Sequence, residues 1–242
     1  MKRKNMIVII LIIGICSIII GIKLNKLNQV KIYHEKFVLK QDEILNIHTA
    51  RATSKEEITS LKKEYNNKDI VGILEIENTN YVVPLVQGND NDYYLKHLPN
   101  KEYSFMGSIF LDYRVNVNTS KKLIIYGHNS SQYQMPFDIL ENYYDENYLK
   151  EHKYVTIKTS SRTRRYELFS IYIEPEDFSY MKVNFTNEEY EKHLNDLKNK
   201  SMYFIDTNLN KDNSILILQT CSTHKDYKKY KKKYLILAFK EI

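Results

Sequence analysis

The chain has 242 residues, 43% hydrophobic and 27% charged, enough for one good-sized domain plus a short appendage. Its net charge is +6, but five basic residues (Lys2, Arg3, Lys4, Lys23 and Lys26) and no acidic one fall in the first 28 positions, leaving the remainder near +1. That balance excludes a nucleic-acid binder, which needs a large basic excess to neutralise phosphates.

From Met6 to Ile22 the sequence reads MIVIILIIGICSIIIGI, 17 residues without a charge. A membrane span typically takes about 20. Lys2, Arg3 and Lys4 precede the run and no small-x-small cleavage site follows it, so it reads as an uncleaved anchor with its N-terminus in the cytoplasm. Lys23 and Lys26 weaken the charge asymmetry, and a cleaved signal would also place the domain outside. Residues 27–50 carry spaced apolar positions (Val30, Tyr33, Phe37, Val38, Ile44, Leu45 and Ile47) that suit a helix leaving the membrane. Thr53-Ser54-Lys55-Glu56-Glu57 offers capping-box spacing twice and opens a second helix to about Tyr65, with Ile58, Leu61 and Tyr65 on one face.

Short strands follow. They are expected at 70–76, 81–86, 108–112, 123–126, 154–158, 165–173, 202–206, 215–220 and 234–240. Pro84 argues for an edge or a bulge in the second. Short helical stretches are expected at 93–97 and 137–140. A capping box at 186–189 starts a longer helix to about Asn199, with Tyr190, Leu194 and Leu197 inward. Many short strands with turn signals and few helices suggest a β-barrel or sandwich. The chain divides into a basic tip and anchor (1–28), a helical arm (29–68) and a β domain (69–242).

Two strand ends carry the chemistry. Ile215-Leu216-Ile217-Leu218 reads as a buried strand that leads through Gln219 and Thr220 to Cys221, the only thiol besides Cys16 in the apolar run. No disulfide within the domain is possible, and without a second nearby Cys or paired His spacing there is no zinc site. No acidic cluster suggests another metal, and nothing asks for a cofactor. His128 follows Leu123-Ile124-Ile125-Tyr126-Gly127. Taken singly, a cysteine after a strand is usually an inert small hydrophobe and a histidine there structural. Together, a thiol and an imidazole are the pair needed for nucleophilic catalysis at a carbonyl. Of the six other histidines, His224 lies three residues past the thiol and is the rival base.

The order Gly72-Ile73-Leu74, Val86-Gln87-Gly88, Asn91-Asp92-Tyr93-Tyr94-Leu95, Gly107-Ser108-Ile109-Phe110-Leu111-Asp112, Tyr126-Gly127-His128 and Leu218-Gln219-Thr220-Cys221 resembles the sortases, and among them class B, over roughly residues 30–242. The resemblance implies a mostly β fold with helices (α+β): a closed eight-stranded barrel with an N-terminal helical arm and a helix inserted before the last strands. Closure removes sheet edges. It also implies a single-pass membrane-anchored transpeptidase of a Gram-positive surface, its catalytic domain facing the wall. Such enzymes cut a C-terminal sorting motif of secreted proteins and join the new carboxyl end to an amine of peptidoglycan or its lipid-linked precursor. Cys221 would form a thioester at the motif's Thr carbonyl. His128 would protonate the leaving amine and then deprotonate the incoming one.

The family's third residue is an arginine at the start of the last strand, yet no Arg follows Cys221. Matching that strand by its aliphatics places Lys233 there, with Lys232 and Lys231 behind it. Lysine keeps the charge but loses the planar fork. If the lysines form only a solvated loop, Arg114, Arg162, Arg164 and Arg165 are the next candidates. By the resemblance, substrate-binding positions are Asn91, Leu95, Tyr126, Tyr180, Met181, Gln219 and Thr220, with Gln219 where the class often has Ser. The missing arginine raises an alternative: a weak or inactive sortase-fold protein that binds peptide or wall polymer. A papain-like hydrolase is disfavoured, because there Cys precedes His.

Overall fold

The computed structural model describes residues 2–33, 53–175, 177–227, 229–230 and 232–242. Helix α1 (Lys2–Tyr33) is continuous over 32 residues. Within it, Ile7–Ile32 is long and apolar enough to cross a membrane, and its large apolar side chains are exposed up to Leu27. The helix therefore runs past the expected anchor into the arm without a break. Near its end Val30 packs against the core, and Lys26 lies 5.6 Å from the centre of the Phe105 ring. The remainder of the helix expected to 50 lies outside the described residues.

Helix α2 (Ser54–Glu64) begins as its sequence dictates. Thr53 accepts from the Glu56 N–H, and the Glu56 carboxylate accepts the Thr53 N–H in return. Ile58, Leu61 and Tyr65 are buried against the first strand's side of the core.

The strands are β1 (Ile70–Ile76), β2 (Tyr81–Val86), β3 (Phe110–Leu111), β4 (Lys122–Tyr126), β5 (Tyr154–Lys158), β6 (Thr163–Glu174), β7 (Ile215–Cys221) and β8 (Tyr234–Glu241). They close into a barrel in the order β1-β2-β3-β4-β7-β8-β6-β5. Only β2/β3 and β4/β7 pair in parallel. The unbroken aliphatic run of β7 has a simple cause. Ile215 and Ile217 join one buried cluster while Leu216 and Leu218 join another, so both faces of the strand are covered. Strands β4 and β8 divide their apolar residues in the same way.

Three expectations change. The strand at 108–112 shortens to Phe110–Leu111. Residues 202–206 form no strand: β5 pairs with β6 only as far as Glu167, and the edge left open beyond it is met by single bonds rather than by a ladder. Met202 N–H still reaches Ile171 O at 2.7 Å, but Phe204 is 91% exposed. The stretch at 137–140 extends as a 3₁₀ helix, Asp138–Tyr144, followed by α3 (Glu146–Glu151). Pro84 is tolerated because β2 meets β3 only at Val86↔Phe110, so the strand's outer side is open alongside it. Helix α4 (Asn187–Asn199) forms as expected from Thr186 and Glu189, with Tyr190, Leu194 and Leu197 buried.

Parallel pairing places the C-terminal ends of β4 and β7 at one rim of the barrel. Between that rim and the core there is no room beside Gly127. A Cβ there would lie 2.5 Å from Ile109 Cδ1 and 2.6 Å from Phe137 Cδ2. Gly127→Ala is expected to destabilise the fold by about 1–3 kcal/mol through overpacking. Urea unfolding checks this; an unchanged midpoint would show that the contact is soft.

Candidate active site

Registered pairs run from Lys122↔Ile215 to Tyr126↔Gln219 along β4 and β7. Past the last pair, three hydrogen bonds stitch the emerging segments together. Gly127 N–H donates to Gln219 O at 3.3 Å. Thr220 Oγ1 donates to Gly127 O at 2.8 Å, and Asn129 Nδ2 donates to Cys221 O at 2.8 Å. His128 and Cys221 thereby line one open cleft of about 500 Å³.

The imidazole is half-buried, with Nε2 at 2.8 Å from Leu95 O. A carbonyl has no proton to give, so this bond requires the proton on Nε2 and leaves Nδ1 for proton exchange. The thiol opens to the cleft. Burial by the cleft walls pushes its pKa up, against the pull of the Lys232 charge. It is therefore mainly protonated at neutral pH.

Asn91, Leu95, Tyr126, Met181 and Gln219 line this cleft, as does Tyr234. Two expected substrate-binding residues do not. Thr220 is fully buried and bonds Gly127 O; Tyr180 is 1% exposed and packs in the core. Each is too enclosed to meet a peptide with its side chain.

The structure also separates the lysines. Cys221 pairs with Tyr234 across β7/β8. Lys233 turns away and donates from Nζ to His224 O at 3.2 Å, whereas Lys232 lines the cleft. Lys231 lies outside the described residues. His224 does not line the cleft: its ring packs edge-on against Tyr144 at 4.8 Å. Arg162 and Arg164 bind Glu241, and Arg165 binds Glu77.

Arg114 works behind the wall. Its Nε and Nη2 hold Asp112 at 2.9 and 2.7 Å. Asp112 Oδ2 in turn accepts from Tyr126 OH at 2.8 Å and Asn91 Nδ2 at 3.1 Å. Burial acts to raise the Asp112 pKa, but the hydrogen bonds from Arg114 and Tyr126 outweigh it and keep the carboxylate ionised.

A second support was not visible in the sequence. Lys122 Nζ, almost fully buried, donates to Tyr180 O at 2.6 Å and Lys182 O at 2.8 Å, and lies 2.8 Å from His193 Nε2. Arg114 Nη2 donates to Met181 O at 2.9 Å. Three successive carbonyls are thus held by basic side chains, Met181 is fixed where it lines the cleft, and burial pushes the Lys122 pKa well below that of a free lysine. Burial, then the nearby Lys122 charge, pushes the His193 pKa down to about 3. Among the described residues, no group of three His, Cys, Asp or Glu side chains is placed to hold a metal.

A family model described as a sortase domain matches residues 74–241. Sortase B of Listeria monocytogenes is 35% identical over 214 residues, covering 87% of this chain and 85% of that protein. A mutant form of Clostridium perfringens sortase B superposes with a TM-score of 0.69 at 36% identity, over 77% of this chain and 87% of that one. A Staphylococcus aureus sortase B–substrate complex superposes with a TM-score of 0.77 at 26% identity, over 88% and 97%.

The buried histidine has a consequence for acid stability. In the unfolded chain a histidine titrates near about 6.5, well above the folded His193. A folded pKa below the unfolded one gives stability that is present at neutral pH and lost as pH falls from about 6.5 toward 3. His193→Gln is expected to unfold less steeply with acid across that window. Denaturant titrations at several pH values measure the slope; an unaltered slope would mean that His193 is protonated in the folded protein.

Proposed function

Because the chain belongs to the sortase family, and within it to class B, whose members are cysteine transpeptidases, we propose that it is anchored in the membrane and sorts secreted proteins to the cell wall. In this reading Cys221 cuts a C-terminal sorting motif, and the acyl group passes to an amine of peptidoglycan or its lipid-linked precursor. The observation that carries the reading is the placement of His128 and Cys221 at adjacent strand ends lining one cleft.

The steps follow from the groups present. The Cys221 proton passes to His128 as the sulfur attacks the carbonyl carbon. The C–N bond breaks, the imidazolium gives its proton to the leaving amine, and a thioester remains. An incoming amine then attacks, His128 takes its proton, and the thiol re-forms on release of the new amide. Since burial raises the thiol pKa, thiolate is scarce in the free protein, and acylation should quicken as pH rises.

Negative charge on the carbonyl oxygen needs a partner. Lys232 lines the cleft and already bears on the thiol electrostatically, so we assign it the place expected of Lys233. A point charge orients substrate less tightly than a guanidinium fork, which makes turnover slow. Met181 and Leu95 provide apolar wall for the motif, and Asn91 and Gln219 polar edges. Helix α1 supports the anchor, and Lys26 against Phe105 and Tyr133 holds the domain close to the membrane end of that helix.

The test uses the full chain in lipid vesicles, a panel of sorting-motif peptides, and an amine acceptor added or withheld. Cys221→Ala and His128→Ala are expected to abolish cleavage, with a thioester detectable by mass spectrometry in the parent. Lys232→Ala should slow acylation on the order of a hundredfold, Lys233→Ala much less, and Lys232→Arg should match or exceed the parent. Cleavage persisting without the thiol overturns the proposal. Binding without turnover favours the peptide-binding alternative.

A further inference from the structure

The 3₁₀ helix Asp138–Tyr144 contributes nothing to the cleft wall, yet it contacts both segments that carry the catalytic pair. In a 3₁₀ helix residues three apart eclipse one another. Asp138, Glu141 and Tyr144 therefore form a single row. At one end Asp138 accepts the Ser130 N–H at 3.4 Å and the Met135 N–H at 2.7 Å, closing the loop that follows His128. At the other end Tyr144 OH shares a hydrogen bond with Ser222 Oγ at 2.9 Å, one residue past the thiol.

Glu141 stands between them and holds both sides. Its Oε1 accepts from Asn129 Nδ2 at 2.8 Å and from the Thr223 N–H at 2.7 Å, and its Oε2 accepts from Thr223 Oγ1. The same Asn129 amide nitrogen donates its other hydrogen to Cys221 O at 2.8 Å. One carboxylate and one amide thus join the residue after His128 to the residue after Ser222 and to the carbonyl of Cys221. An exposed acidic side chain on a solvated helix face would make no such set of bonds, and Glu141 is half-buried.

We infer that Glu141, acting through Asn129 and Thr223, is a positioning residue that holds His128 and Cys221 in reactive register. The inference rests on the functional reading above. It also separates two tasks. The peptide-binding wall hangs from other supports: Asp112 and Arg114 hold Asn91 and Tyr126, and Lys122 and Arg114 hold the backbone around Met181. Loss of the Glu141 bridge should leave those supports intact and disturb the alignment of acid and nucleophile alone.

Glu141→Gln tests it, because the amide keeps the shape but turns one acceptor into a donor facing donors. With active enzyme counted by titration of Cys221 with a methanethiosulfonate, kcat is expected to fall at least about tenfold while KM for the peptide stays within about twofold. Thr223→Val, which removes only the hydroxyl, should give a smaller fall of the same kind. Hydrogen exchange at the Thr223 amide should quicken in Glu141→Gln. Parental kcat in Glu141→Gln, or a rise in KM that accounts for the loss, overturns the inference. If the parent chain turns over no peptide, the functional reading fails instead. Exchange at Thr223 and the His128 ring NMR shifts then decide the bridge, and values unchanged by Glu141→Gln overturn it.

Discussion

The parallel pairing of β4 with β7 is the constraint on which the rest depends. Parallel neighbours cannot be joined by a tight turn; they need a long crossover. Here the crossover contains β5, β6, α3 and α4, so much of the β domain is built between the two strands. In return, both strands run the same way and both end at one rim. An imidazole just past one end and a thiol at the other thereby line the same cleft. The register Tyr126↔Gln219 sets how far each extends, and a slip of one residue would turn the thiol to the opposite face.

Around that rim the protein relies on charged groups beneath the cleft wall. The Arg114–Asp112 pair fixes Tyr126 and Asn91, and Lys122 with Arg114 fixes three consecutive carbonyls around Met181. Such buried charges are costly to desolvate and add little net stability unless every donor is satisfied. Three partners surround the Lys122 nitrogen at hydrogen-bond distance, while burial pushes its pKa well below that of a free lysine. The physical return on this arrangement is a defined position for wall residues that come from irregular segments, where no strand ladder could define it.

The thiol shows how opposing terms set reactivity. Burial favours the neutral form, while the Lys232 charge favours thiolate, and burial prevails. A sulfur held mainly as thiol is slow to oxidise, because the thiolate is the reactive species.

Local patterns were enough to reveal the capped helices α2 and α4, the buried run Ile215–Leu218 of β7 and the strand-end placement of Cys221 and His128, because capping spacing and hydrophobic periodicity are written within a few neighbouring residues. Motif order carried the family and hence the barrel. What lay beyond reach depends on side chains meeting across dozens of residues. That Lys232 rather than Lys233 lines the cleft depends on the turn of the irregular segment before β8, which no local pattern encodes. The enclosure of Tyr180 and Thr220, the Lys122–His193 contact and the Glu141 bridge each join segments that only barrel closure brings together. Read along the chain, Lys122 and Glu141 look like any solvated charge. Their roles arise because folding surrounds each with partners whose hydrogen-bonding needs water can no longer meet.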